Sequence, residues 1–130
     1  MNLHQDSLWI GRLLKKTLES VVAVYPCVAS TGAPDEYCVY RRVGYEGRNT
    51  KDRFNYEERL SLQLSVASQS YERGLEIAQQ IKERLDGKRM IWEGKPVDSV
   101  AMVGASEHFS EPEYIQTLLF EIKIDTTNGK

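Results

Sequence analysis

Residues of the kinds that carry out chemistry are few in this chain, and their spacing assembles no evident catalytic group. His108 stands next to Glu107 and near Glu111, the one place where an imidazole could work with a carboxylate. General acid–base catalysis needs a partner within hydrogen-bond reach of the same proton, and the sequence indicates none here. We interpret residues 107–113 as a solvated acidic loop and keep a hydrolase or nuclease only as a minor hypothesis.

Glu57 and Glu58 are the only adjacent glutamates. They fall in a predicted strand, where neighbouring side chains point to opposite faces of the sheet. They therefore cannot act together as a catalytic carboxylate pair. The chain also contains no nucleophile elbow, dinucleotide-binding loop, phosphate loop or zinc-protease motif. We predict that the protein is not an enzyme.

Cys27 and Cys38 are the only cysteines, eleven positions apart. A disulfide between them is possible in principle, but reduced thiols are the favoured interpretation because no export signal is predicted. The two histidines, His4 and His108, are far apart in the sequence, which does not favour a structural zinc site. No metal and no cofactor is predicted.

The composition is that of one folded domain, which we place at residues 1–130 with a frayed tail at about 126–130. Of the 130 residues, 41% are hydrophobic and 28% are charged, as in ordinary globular domains. A net charge of −2 gives no overall attraction to nucleic acid or to an anionic membrane. No apolar run approaches the roughly 20 residues of a membrane span. We expect a cytoplasmic protein that does not enter a membrane.

The clearest pattern is a strand that leads directly into a helix. Apolar and polar residues alternate from Leu60 to Val66, which predicts a strand with one buried face. The apolar spacing then becomes helical between Tyr71 and Leu85. Ser68 or Ser70 is placed to cap this helix, and Gly87 to end it.

Other patterns supply the remaining elements. In chain order they are a helix beginning at Asp6 or Ser7, a hairpin of Tyr37–Tyr45 with Phe54–Ala67, brief strands on either side of Gly94 with Ser99–Val103 continuing the second, and a last strand Tyr114–Ile124. Strands that are apolar on one face only are typical of an antiparallel sheet covered on one side. The sequence predicts an α+β fold, with two amphipathic helices packed on one face of an antiparallel sheet, in the order α-β-β-α-β-β(-β).

Basic residues concentrate in the predicted hairpin, which we call the basic hairpin. Residues 41–53 contain five basic and two acidic side chains, a balance of 5 − 2 = +3. The basic residues are Arg41, Arg42, Arg48, Lys51 and Arg53. They could bind phosphates or an acidic protein surface, or they could be solvated charges that protect a strand edge from aggregation. All three interpretations stay open.

The polar face of the predicted sheet is a second candidate surface. It carries Ser61, Gln63, Ser65, Thr117, Glu121 and Lys123. Ile115 and Leu119 interrupt this polar face with apolar side chains. The face could point to solvent or meet another subunit, and the two apolar residues make an interface plausible.

Three stretches resemble the small tail-completion, or tail-terminator-like, proteins of long-tailed bacteriophages and prophages. They are Val24–Pro26 with Ala33–Pro34 and Tyr37–Tyr40, then Leu60–Val66 with Ser70–Gly87, and finally His108–Phe109 with Tyr114–Ile124. Together they extend over most of the chain, from the first helix to the last strand.

The resemblance implies an α+β structural protein without cofactor or catalysis, which forms a sixfold ring that caps the tail tube and joins it to the head. Its partners would be copies of itself, tail-tube proteins and head-connector proteins. It would assemble in the host cytoplasm and reside in the virion tail. From its charge, the basic hairpin would contact the neighbouring subunit or lie near DNA in the channel. The alternative is a small cytoplasmic protein-binding adaptor or regulatory module.

Overall fold

A six-stranded sheet with both helices on one face makes up the computed structural model, which describes residues 3–29, 32–48 and 57–125. The elements are α1 (Leu3–Leu18), β1 (Ala23–Pro26), β2 (Tyr37–Arg48), β3 (Glu57–Ser68), α2 (Tyr71–Leu85), β4 (Met90–Trp92), β5 (Lys95–Ser110) and β6 (Glu113–Asp125). The predicted α+β class is confirmed. The order α-β-β-β-α-β-β-β differs from the prediction by an additional strand near the start. The predicted tail at 126–130 lies outside the described residues.

The sheet is mixed, with the strand order β1-β2-β3-β6-β5-β4. All neighbouring strands are antiparallel except β1 and β2, which run parallel with Val24 opposite Cys38. The prediction of an antiparallel sheet is therefore wrong at this edge. The physical reason is that β2 begins at Tyr37 beside Ala23, the first residue of β1, so both strands run in the same direction. The sequence did not reveal β1 because only Val24 of its four residues is buried.

The strand β3 supplies the centre of the core. Its even-numbered side chains from Glu58 to Ser68 are buried, and those from Leu60 to Val66 belong to one core cluster with side chains of both helices. Burying one leucine contributes about 1.5–3 kcal/mol, so this row contributes a large share of the folding free energy. The apolar residues buried with it include Ile10, Leu13 and Leu14 of α1, Ile77 and Ile81 of α2, and Phe120, Ile122 and Ile124 of β6.

The helix α2 begins and ends where the sequence predicts. The Ser70 side chain accepts a hydrogen bond from the backbone N–H of Arg73 at 3.2 Å, and this satisfies one otherwise free donor of the first turn. Gly87 then adopts a left-handed conformation with φ of 78°. Its N–H donates to the carbonyl of Val100 at 2.7 Å, so the end of the helix is attached to β5.

The helix α1 begins earlier than predicted. It starts at Leu3, so Ser7 is not a cap but lies within the helix, where its Oγ accepts a hydrogen bond from Arg42 Nη1 at 2.9 Å. Trp9 is 2% exposed and its Nε1 donates to the carbonyl of Trp92 at 3.0 Å. These contacts attach one side of α1 to β2 and the other to β4. Neither α1 nor α2 has the length and apolar character needed to cross a bilayer.

The strand β5 is longer than predicted. It continues beyond Val103 to Ser110 and pairs with β6 as far as Glu113, so most of the expected acidic loop at 107–113 is strand. The residues from Ala105 to Ser110 are all exposed. Without one buried face they show no apolar alternation, and the sequence pattern could not indicate a strand there.

Gly11 provides a test of how closely α1 packs on the sheet. A Cβ at this position would collide with Tyr40 Oη and lie 3.1 Å from Tyr40 Cζ. Overpacking costs about 1–3 kcal/mol, whereas alanine gains at most about 1 kcal/mol over glycine in helix propensity. We expect Gly11→Ala to lower the free energy of unfolding, measured by urea denaturation.

The double variant Gly11→Ala/Tyr40→Phe separates this contact from helix propensity. Phenylalanine removes the Oη that a Cβ would strike, so the double variant should be more stable than Gly11→Ala alone. A Gly11→Ala protein that is more stable than the wild type would contradict the close approach of α1 to β2.

Candidate interaction surface

The structure separates the first two residues of the basic hairpin. Arg41 lies opposite Gln63 on the sheet face that the helices leave uncovered, which we call the open face. Its Nη2 donates to Gln63 Oε1 at 3.2 Å. Arg42 lies opposite Leu62 on the helix-covered face and donates to Ser7 of α1. The two adjacent arginines therefore cannot contact the same partner on the same face.

Of the other three basic residues, the structure describes only the backbone of Arg48. Arg48 is the last residue of β2 and lies opposite Glu57 in register, but its side chain is outside the described part of the structure. Lys51 and Arg53 lie outside the described residues altogether. Arg41 and Arg42 therefore do not share one surface, and the interaction of Arg48, Lys51 and Arg53 stays a prediction.

The centre of the open face is uncharged and partly apolar on β3 and β6, with Arg41 beside it on β2. The predicted members Ser61, Gln63, Ser65, Thr117, Glu121 and Lys123 do share this face, together with Ile115 and Leu119. Leu119 is 37% exposed, which is unusual for a leucine in the middle of a sheet. Charged residues are depleted from the cores of protein interfaces, so this composition suits contact with another protein better than contact with phosphates.

A cluster of carboxylates surrounds Arg59 at one end of the open face. The Arg59 guanidinium lies 3.0 Å from Glu57, 3.5 Å from Glu121 and 3.9 Å from Glu46. The hydrogen bond with Glu57, followed by the charges of the three carboxylates, raises the pKa of Arg59 above its usual value. Because Arg59 is already engaged by carboxylates, this end of the face is not suited to binding an anion.

Glu58 is a carboxylate whose burial was not predicted from the sequence. It has no exposed surface, and its Oε1 accepts a hydrogen bond from Tyr45 Oη at 3.1 Å. Glu57, its neighbour, lies on the open face, so the prediction that these two glutamates point to opposite faces is confirmed. Counting the alternation of Leu60 and Leu62 back to position 58 would have revealed this burial.

The pair of His108 and Glu107 is divided in the same way. His108 lies opposite Ile115 on the open face, whereas Glu107 lies opposite Gln116 on the other. Glu107 accepts hydrogen bonds from Gln116 Nε2 at 3.0 Å and from Tyr71 Oη at 2.8 Å. Those from Gln116 and then Tyr71 lower the pKa of Glu107. No group of three or more potential metal ligands occurs among the described residues.

Three aromatic rings pack beside Glu107 where β5 turns into β6. The ring centroids of Tyr71 and Tyr114 are 5.5 Å apart, and those of Phe109 and Tyr114 are 4.9 Å apart. Phe109 is 52% exposed and Tyr71 is 41% exposed. Exposed aromatic residues of this kind are common anchors in protein interfaces.

Both cysteines are free thiols, as the sequence predicted. Cys38 is buried, and burial raises the pKa of its thiol to about 12. Cys27 is exposed and lines a shallow hollow of the open face together with Arg41 and Gln63.

Comparisons with known proteins find the same fold at low sequence identity. No family model and no curated protein matches the chain. A chain from the virion of a native gene transfer agent particle matches 87% of this chain over 84% of its own length, with a TM-score of 0.62 and 13% identity. A second solved chain, whose name states no function, matches over 96% of both chains with a TM-score of 0.68 and 10% identity. At these identities the likeness shows a shared fold.

The contacts of Glu107 predict how its carboxyl group titrates. Its pKa is lower in the folded chain than the ordinary 4.5, so its contribution to stability is complete above that pH and is lost as the pH falls through the lowered value. We expect Tyr71→Phe to raise this pKa, because one of the two donors is removed. Carbon-detected NMR titration of the glutamate carboxyl groups measures the change. Tyr114→Phe is the matched control, and equal titration of Glu107 in both variants would contradict the contact.

Proposed function

We propose that this chain is a structural component of a phage-like particle, acting as a tail-completion protein that caps the tail tube and joins it to the head. The observation that carries the proposal is the fold shared with a chain of a gene transfer agent virion over most of both chains. The resemblance of three sequence stretches to tail-completion proteins supports the same role. In this proposal the protein is not an enzyme.

The surfaces described above suit a protein that assembles. The open face is broad, with an uncharged centre that contains Ile115 and Leu119. Another protein can cover this centre without burying a charge of β3 or β6, whereas Arg41 beside it on β2 would need a carboxylate from the partner, because burying an unpaired charge is costly. We propose that the partners are further copies of this chain in a sixfold ring, tail-tube proteins and head-connector proteins. Assembly would take place in the host cytoplasm, and the assembled protein would lie in the virion tail.

The basic hairpin has a more limited proposed role than its sequence suggests. Because Arg42 is held against α1 by Ser7, it contributes to the docking of the helix. Of the other four basic residues, Arg48, Lys51 and Arg53 are the ones we propose to contact a neighbouring subunit or to lie near DNA in the channel.

The first test is made on particles from the source strain. We expect the tryptic peptide Gly74–Lys82 to be present in tailed particles banded on a density gradient, and a deletion strain to accumulate heads and tails that are not joined. Mass spectrometry and electron microscopy provide the two measurements. Normal joined particles from the deletion strain would refute the proposal. Absence of the peptide from particles together with abundance in the cytosol would favour the adaptor.

A second test concerns the basic hairpin alone. We expect the triple variant Arg48→Glu, Lys51→Glu and Arg53→Glu to unfold at a temperature within a few degrees of the wild type. The proposal places these charges against a partner and not in the core, and substitutions outside the core usually change stability by less than about 0.5 kcal/mol each. It should fail to restore joined particles to the deletion strain.

The matched control reverses three exposed lysines on the helices, Lys15, Lys16 and Lys82, and changes the net charge by the same amount. Particle counts by electron microscopy compare the two variants. Full recovery with the hairpin variant, or equal loss with the control, would contradict a specific role for the hairpin.

A further inference from the structure

The strand β5 has an outer edge that is covered over only half of its length. β4 pairs with β5 at Lys95–Val97. The end of α2 continues this cover, because the Gly87 N–H donates to the Val100 carbonyl and Asp86 Oδ1 accepts a hydrogen bond from the Met102 N–H at 2.9 Å. From Gly104 to Ser110, no strand among the described residues lies on that side of β5.

This uncovered half is also exposed on both of its faces. Each residue from Ala105 to Ser110 is exposed, including Phe109. Val103, just before this stretch, is 62% exposed at a β-bulge. A long exposed strand edge is a template for pairing with another chain, and proteins usually protect such edges. Exposed apolar side chains on the same edge strengthen the expectation of a partner.

The opposite edge of the sheet, at β1 and β2, is also covered over only part of its length. β1 accompanies β2 only from Tyr37 to Tyr40, and among residues 3–29, 32–48 and 57–125 no further strand continues along β2 beyond that point. Here too a β-bulge presents an exposed valine, Val43, which is 45% exposed. Arg41 beside it is exposed as well.

The two edges carry opposite charge. Residues 104–111, which are the uncovered part of β5 and the first residue of the turn after it, include Glu107 and Glu111 and no lysine or arginine, a balance of −2. Residues 41–48 contain three arginines and one glutamate, a balance of 3 − 1 = +2. A β5 edge would therefore repel another β5 edge and attract a β2 edge, because like charges on facing strands destabilise a pair and opposite charges stabilise it.

We propose that the uncovered edge of β5 in one copy of this chain pairs with the β2 edge of a second copy, so that one sheet continues from subunit to subunit. The contact joins two different surfaces, and contacts of this kind repeat around a ring when the rotation closes. The inference rests on the proposed function for the ring itself. It adds the pair of surfaces that would build the ring.

Charge exchange between the two edges tests the pairing directly. In an antiparallel pairing of residues 104–110 with residues 41–47, Glu111 comes next to Arg41. Arg41→Glu alone and Glu111→Lys alone then each replace an attraction with a repulsion at every contact, and each should raise the dissociation constant for self-association roughly tenfold or more. In an equimolar mixture, the reversed β2 edge of one variant can meet the reversed β5 edge of the other, and this contact again joins opposite charges. The two edges without a substitution can meet each other as in the wild type. Association measured by sedimentation velocity should therefore return in the mixture.

A measurement on the backbone complements this test. Hydrogen–deuterium exchange of the wild-type protein should slow at the amides of residues 104–110 when the protein is concentrated, because these N–H groups gain strand partners. Lys82→Glu, which makes the same charge change as Arg41→Glu on the exposed side of α2, should leave both association and protection unchanged.

Three outcomes would overturn the proposal: a wild-type chain that stays monomeric at millimolar concentration, variants that are weakened alone and not rescued by mixing, or unchanged exchange at residues 104–110. These measurements use purified protein and are separate from the particle tests. If the deletion strain makes no joined particles but the two edges of the purified chain do not pair, another surface builds the assembly. If the two edges pair but the deletion strain still makes joined particles, only the proposed function is refuted.

Discussion

The alternation of side chains along β3 is the constraint on which the rest of the structure depends. β3 is bonded on one side to β2 and on the other to β6 along nearly its whole length. Because the side-chain period of a strand is two, a slip of one residue would exchange its faces. Arg59, Ser61 and Gln63 would then enter the core while three leucines reached solvent. The core therefore fixes the register of three strands together, and with it the composition of the open face.

The parts that sequence predicts well are those where one face is buried and the other is not. β3, α2 and β6 have this property, and both their type and their approximate limits were predictable. β1 was not, because a four-residue strand with a single buried side chain shows no period. The end of β5 was not, because it is exposed on both faces. In these two places the strand forms because a neighbouring strand pairs with it. Such pairing produces no alternation of apolar and polar residues in the local sequence.

The candidate surfaces were predictable to a similar degree. Neighbouring strand residues point to opposite faces, and this rule separated Glu57 from Glu58 correctly. The same rule places the adjacent Arg41 and Arg42 on opposite faces, so the sequence alone indicates that the residues of the basic hairpin do not share one surface. The contacts of Ser7 with Arg42 and of Tyr71 with Glu107 could not be predicted, since they depend on where each helix rests on the sheet. Both helices occupy one face of the sheet, so the other face stays open.

The contrast between the two cysteines has a practical consequence. A thiol with a pKa of about 12 is almost entirely protonated near neutral pH, and Cys38 is also shielded by the core, so alkylating reagents that require the thiolate will leave it intact. Cys27 is exposed beside the open face. The natural chain therefore has a single reactive thiol, Cys27, to which a fluorophore or a heavy-atom cluster can be attached. Counting such labels would give the number of copies in any assembly that leaves Cys27 accessible, without altering a residue.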